Sequence, residues 1–161
     1  MLAPRPLYWI VACVVLVMSA VLYQPAKRAI ACEVYQRNNS YRNDVMLNFQ
    51  GQPIQAERVK TDLDRQKGLS GRECIRKNQA MLFEFDADDV KNHCFWMKDM
   101  KFPIDIYWLD SDKRVVFSAT QVKPSSYPKS YCPNVQTRYV IELHSGIGKE
   151  LLFDYDDVAP F

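Results

Sequence analysis

Glycine is scarce in this chain, histidine is scarcer, and no stretch carries a block of one charge. Five glycines are spread over 161 residues, and no glycine-rich loop is present to cradle a phosphate. Aromatic residues are plentiful at 12%, so the chain does not read as a disordered tail. Acids and bases are interspersed, 19 against 21, for a net charge of +2. Nucleic-acid binders gather Lys and Arg into a run or patch, and no such block occurs here. The two histidines, His93 and His144, belong to no G-x-S-x-G or H-E-x-x-H motif, which removes the common nucleophile and zinc-hydrolase signatures. Cys94 beside His93 makes no dyad, because neighbours on a strand face opposite ways. The absence of any C-x-x-C pair leaves a zinc knuckle or thioredoxin-like motif unsupported.

An apolar run is the first feature present. Residues 7–23 (LYWIVACVVLVMSAVLY) carry no charge over 17 positions. A helix rising ~1.5 Å per residue would reach about 26 Å, just short of a typical hydrocarbon core. Tyr8, Trp9 and Tyr23 stand at its ends, where amphipathic rings favour the interface. The run predicts one transmembrane anchor. Two other fates fit the same region. Ala29-Ile30-Ala31 has the small-x-small form of a signal-peptide cleavage site, although Lys27 and Arg28 separate it from the run. Ile10-Val11-Ala12-Cys13 resembles a lipobox, preceded by very few apolar residues. Flanking charge does not orient the anchor, since Arg5 and the amino terminus balance Lys27 and Arg28. Cysteine gives the direction. Cys32, Cys74, Cys94 and Cys132, in a small domain behind an export-like segment, read as a disulfide framework on the extracytoplasmic side, with three pairings open. Four reduced thiols in a cytoplasmic domain are the competing reading.

The predicted organisation is a flank over 1–6, the anchor over 7–23, a polar tether over 24–43 and a folded domain over 44–161. Roughly 130 residues beyond the anchor suffice for one ordinary core. Strands are predicted at 45–49 and 54–59, joined by the turn Gln50-Gly51-Gln52-Pro53. Thr61 opens a short helix with Asp64 as its capping partner, and Gly68 closes it. More strands follow at 81–85, 94–98, 104–109, 114–119 and 139–143, with a long loop over 122–133 and a helical turn near 147–152. Many short strands and little helix predict a mainly β protein: a compact antiparallel sandwich or barrel-like domain with one or two short helices.

Several blocks together resemble one family. Arg65-Gln66-Lys67-Gly68-Leu69-Ser70-Gly71-Arg72 is similar to its R-x-x-G-L-x-x-R segment, and Met81-Leu82-Phe83-Glu84-Phe85 to its M-L-F-x-F strand. Phe95-Trp96-Met97-Lys98-Asp99-Met100 with Pro103-Ile104-Asp105-Ile106 resembles its F-W-M-K-N-x…P-L-D core. Tyr139-Val140-Ile141-Glu142-Leu143 with Ser145-Gly146 resembles its Y-V-L-E-L-x-A-G segment. This is the domain of unknown function 192 family, matched over roughly residues 44–158. Ala80 departs from the usual Gly before the M-L-F strand, and Asp156 from a final Gly-Asp turn. The resemblance implies a compact, mostly antiparallel β domain, often behind an export signal or lipid anchor, and no established activity.

Asp105 is the most conspicuous residue, a carboxylate inside the apolar strand Ile104-Asp105-Ile106-Tyr107-Trp108-Leu109. Alternation puts it on one face with Tyr107 and Leu109. A half-buried carboxylate needs a partner, and Arg72 and Lys98 are the expected ones. It is either a binding or acid/base group, or one half of a salt bridge tying the helix–loop segment to the sheet. Glu142 similarly interrupts an apolar strand. Paired with Asp105 it would supply the two carboxyls of glycoside hydrolysis. His93-Cys94-x-x-Met97-x-x-Met100 carries soft ligands suited to Cu(I), but alternation turns Cys94 and Met97 apart, and core methionines with a disulfide are the expectation. No metal or cofactor is expected. Trp96, Lys98, Pro124, Tyr127 and Tyr131 form an aromatic, proline-rich rim suited to a sugar or peptide. The functional cluster is therefore Arg72, Trp96, Lys98, Asp105 and Glu142. The favoured reading is a membrane-anchored, noncatalytic binding or accessory module of the cell envelope. The alternatives are a hydrolase-like enzyme using Asp105, Glu142 and Arg72, or a purely structural or assembly protein.

Overall fold

The computed structural model describes residues 5–49, 51–89, 91–151, 153, 158, 159 and 161, without the side chains of 5–9, 16–26 and 28. Most side chains of the expected anchor, and Asp156, lie outside the described residues. The chain divides into two compact units, Met1–Asn39 and Ser40–Phe161.

The first unit is a helix, α1 (Arg5–Asn38). Its backbone stays helical through most of the stretch expected as a polar tether. Residues 26–37 explain the difference, because they are mainly Ala, Lys, Arg, Glu and Gln, which lose little freedom in a helix. Glu33 and Arg37 lie one turn apart with charges 4.0 Å away, and the Asn39 side chain donates to the Tyr35 carbonyl at 3.0 Å, closing the end. Among the described residues no helix is long and apolar enough to cross a membrane.

The second unit is built on a six-stranded sheet. Its strands are β1 (Val45–Phe49), β2 (Gln52–Val59), β3 (Gln79–Glu84), β5 (Ile104–Leu109), β6 (Val115–Val122) and β8 (Tyr139–His144), in the order β1-β2-β3-β8-β5-β6. A two-stranded ribbon of β4 (Phe95–Trp96) and β7 (Ser130–Tyr131) lies apart from it. Two short helices complete the unit, α2 (Asp62–Lys67) and α3 (Ile147–Glu150). The expected β1–β2 hairpin forms, with Gly51 at φ 86° supplying the turn.

An antiparallel sandwich or barrel was the expectation, and the structure corrects it. β2 and β3 pair in parallel, because α2 and the loop after it provide the long crossover that parallel neighbours require. The central strands are buried on both faces, with all six residues of β5 covered. That is the mark of one sheet with a core on each side. One core contains Leu47, Ala80, Leu82, Tyr107, Leu109, Ile141 and Leu143. The other contains Met81, Phe83, Met97, Ile106, Trp108 and Val140. Trp108 is fully buried, and covering an aromatic of that size contributes roughly 4–6 kcal/mol.

α2 is capped as its residues predict. Thr61 Oγ1 accepts from the Asp64 amide at 3.2 Å and donates to the Asp64 carboxylate at 2.8 Å. Gly68 follows at φ 49°, its N–H on the Asp64 carbonyl. Tyr41, just inside the second unit, stitches the parallel seam. Its hydroxyl accepts the amides of Glu57 (3.2 Å) and Ala80 (3.1 Å) and faces the carbonyls of Gln55 (2.9 Å) and Ala80. Burial pushes this hydroxyl well above its ordinary pKa.

Candidate functional site

The structure separates the two carboxyls expected to act together. Asp105 pairs with Leu143 across the β5–β8 ladder, while Glu142 pairs with Ile106. Adjacent residues on a strand face opposite ways, so Asp105 looks into the core of Tyr107 and Leu109 and Glu142 into that of Ile106 and Val140. A glycosidase-type Asp105–Glu142 pair is incompatible with this register.

Asp105 is completely buried and fully employed. In β6 the register jumps from Val122 opposite Ile104 to Ala119 opposite Ile106, so two residues face Asp105 alone. The extra residue makes a bulge, with Gln121 held at φ 53°. The Gln121 amide donates to Asp105 Oδ1 at 2.7 Å, and the amides of Gly146 (2.8 Å) and Gly148 (3.2 Å) donate to Oδ2. Backbone amides therefore replace the expected Arg72 or Lys98 partner, and Asp105 pins the β6 bulge and the entry to α3. Lys98 is exposed, and its carbonyl accepts from Ser70 Oγ at 2.9 Å.

Arg72 serves a residue that sequence reasoning missed. Its two terminal nitrogens meet Glu57 at 2.9 and 2.7 Å in a bidentate pair. Arg42 adds its amide at 3.2 Å and its guanidinium at 3.9 Å. Glu57 is buried, although its strand, Gln52-Pro53-Ile54-Gln55-Ala56-Glu57-Arg58, reads as half-solvated. The row Glu57, Met81, Glu142 crosses β2, β3 and β8 in register. Two strand spacings put the outer α-carbons roughly 10 Å apart.

Glu142 lines an open cleft of about 400 Å³ whose walls include Phe83, Phe85, Phe95 and Trp96. The carboxyl is 5% exposed, and its Oε2 has no hydrogen-bond partner among the described residues. Burial pushes its pKa up to about 8, against the opposing pull of the Arg72 charge. Trp96 stands at the rim, half exposed, on the ribbon that the Cys94–Cys132 disulfide closes. Phe95 lies edge-on to Phe83 at 4.8 Å and to Trp108 at 5.8 Å. His93 stacks on Phe85, and its carbonyl accepts the Trp108 indole N–H at 2.7 Å. Burial lowers its pKa. Of the cations lining the cleft, Arg65 meets Asp62 at 2.7 Å and Lys91 meets Asp89 at 2.7 Å, and Lys67 lines it as well. Of the expected rim, Tyr127 is exposed, while Pro124 and Tyr131 are half-buried. Phe83, Phe85 and Arg65 belong to the site without having been singled out. Their signal was present in the two sequence blocks that contain them.

The soft-ligand motif is structural. Met97 is core, and Cys94 is committed to its disulfide. Among the described residues no group of three or more His, Cys, Asp or Glu could hold a metal ion. Cys13 is free.

Two solved structures share the fold. A protein of unknown function from Novosphingobium aromaticivorans DSM 12444 aligns with a TM-score of 0.64 at 21% identity, over 72% of this chain and 82% of its own. A candidate transcription regulator from Sinorhizobium meliloti 1021 aligns with a TM-score of 0.64 at 22% identity, over 71% and 88%. No curated protein matches the chain. The model of the domain of unknown function 192 family, described as an uncharacterised ACR, matches residues 45–159. That stretch contains the whole sheet, the aromatic cleft and the buried carboxyls of Glu57, Asp105 and Glu142, and the chain belongs to the domain of unknown function 192 family.

Proposed function

We propose that this protein is a noncatalytic binding module of the cell envelope, anchored through residues 7–23, with its β domain on the extracytoplasmic side. The supporting observation for binding is the open aromatic cleft of about 400 Å³, which has a half-exposed Trp96 at its rim and one unpartnered buried carboxyl. Apolar walls with few convergent polar groups are the usual make-up of a ligand site, and flat aromatic faces suit a sugar ring or a peptide segment. A hydrolase acting through Asp105 and Glu142 lacks the geometry, and a purely structural role leaves the cleft without a use. The anchor rests on the uncharged run, and the side of the membrane on the cysteines and the Cys94–Cys132 bond.

Titrating the full chain in detergent with short envelope saccharides and peptides should move the Trp96 indole resonance. Trp96→Ala should abolish binding while leaving the melting temperature in place. An indole signal indifferent to every probe overturns the binding role. If Cys32, Cys74, Cys94 and Cys132 all alkylate without reduction in protein taken from its native cells, the extracytoplasmic location fails.

A further inference from the structure

We infer that Glu142 is the specificity-determining group of the cleft, and that it selects an uncharged, hydroxyl-bearing ring, a saccharide, over charged ligands of the same shape. This deepens the binding role proposed above and rests on it. Three features of the geometry carry it. Glu142 is buried at the aromatic wall, and its Oε2 is unpartnered. Arg72, the cation whose charge acts on Glu142, points both terminal nitrogens at Glu57. Arg65 and Lys91 face their own carboxylates, Asp62 and Asp89.

A carboxyl in that position gains most from a partner that both accepts and donates, since a neutral acid has one O–H to give and lone pairs to fill. Adjacent hydroxyls on a sugar ring match it, and the ring's C–H face packs on Trp96 and Phe95. A cationic ligand would need Glu142 ionised at a position where its own burial opposes the charge. An anionic ligand would meet an acid that cannot neutralise it.

Burial supports the neutral state, holding the carboxyl up at about 8. Between neutral and mildly alkaline pH the charged neighbours to reckon with are Arg72, whose charge acts on Glu142, and Arg65, Lys67, Lys91, Asp62 and Asp89, which line the same cleft. His93 is shifted downward and is already neutral there.

The test uses the full chain in detergent and three probes on one ring: methyl glucoside, glucosamine and glucuronate, with affinity read by ligand-observed NMR. The neutral sugar should bind about tenfold more tightly than either charged one, the equivalent of one lost hydrogen bond. Its affinity should fall about tenfold between pH 7 and pH 9 as the acid ionises. Glu142→Gln keeps a donor and an acceptor without a charge. Its affinity for the neutral sugar should no longer change between pH 7 and pH 9. Equal or tighter binding of glucosamine or glucuronate overturns the assignment to Glu142 and leaves the cleft as a binding site. So does a Glu142→Gln variant that folds, by its melting curve, and keeps the parent's pH dependence. If none of the sugars binds, and Trp96 also ignores the peptides, both the selectivity and the binding role fail.

Discussion

Two buried carboxyls on neighbouring strands differ in one respect that decides what each can do. Asp105 looks into one core and receives three backbone amides. Glu142 looks into the other and leaves an oxygen without a partner. Both interrupt apolar strands, and sequence gives them the same appearance. A satisfied buried carboxylate is part of the fold, whereas an unsatisfied one costs stability and is a site in waiting. The burial of an acidic residue is therefore a weaker pointer to function than the state of its hydrogen bonds.

The comparison breaks most readily at Asp105. Replacement with Asn retains the shape but turns an NH₂ toward amides that need an acceptor. Chemical unfolding should register a loss of about 4 kcal/mol, and a stability equal to the parent's would remove its structural role. The next effect belongs to Glu142 and depends on pH. Its folded pKa of about 8 lies above the unfolded value of 4.5. The protonated group's contribution is therefore complete in acid and is lost as pH rises through about 8. Stability measured against pH should show the parent falling about 3–4 kcal/mol relative to Glu142→Gln between roughly pH 5 and 9. Parallel curves would place the carboxyl in water rather than in the cleft wall.

Smaller effects sharpen the contrast between the faces. Gly148 donates to Asp105, and a β-carbon there would come within 1.8 Å of the Tyr107 hydroxyl. Gly148→Ala should cost about 2–3 kcal/mol by overpacking, read as a lower melting temperature; a variant melting with the parent would show that Tyr107 gives way freely. On the other face, Arg72→Met leaves Glu57 with Arg42 alone and should cost about 2 kcal/mol. It should also raise the Glu142 pKa, because the Arg72 charge now lowers it. A carboxyl resonance that titrates at the same pH in the variant would disconnect the two groups.

Much of the local structure was legible in the sequence. The strand Ile104–Leu109, the Thr61 cap and the hairpin at Gly51 follow from rules that act over a few residues. The face assignments of Asp105 and Glu142 follow from alternation alone. Long-range pairing was not legible. Nothing in Gln52–Val59 states that it lies parallel to Gln79–Glu84. Glu57 was passed over because its burial depends on Arg72, fifteen residues further on. Asp105 was given the wrong partners because backbone amides freed by a bulge and a glycine turn leave no trace in side-chain chemistry. The aromatic cleft was half legible. Trp96 was singled out, but Phe83 and Phe85 read as ordinary strand interior until the ribbon and α2 were placed beside them.

Tyr41 sets a limit on how the domain can be cut and rejoined. One hydroxyl at the start of the second unit serves main-chain groups of β2 and β3. A truncation that begins at Ser40 keeps that stitch, and one that begins at Asp44 removes it with the sheet otherwise intact. The functional boundary of the fold thus lies a few residues ahead of its first strand. Grafting this domain onto another chain requires Tyr41 to travel with it.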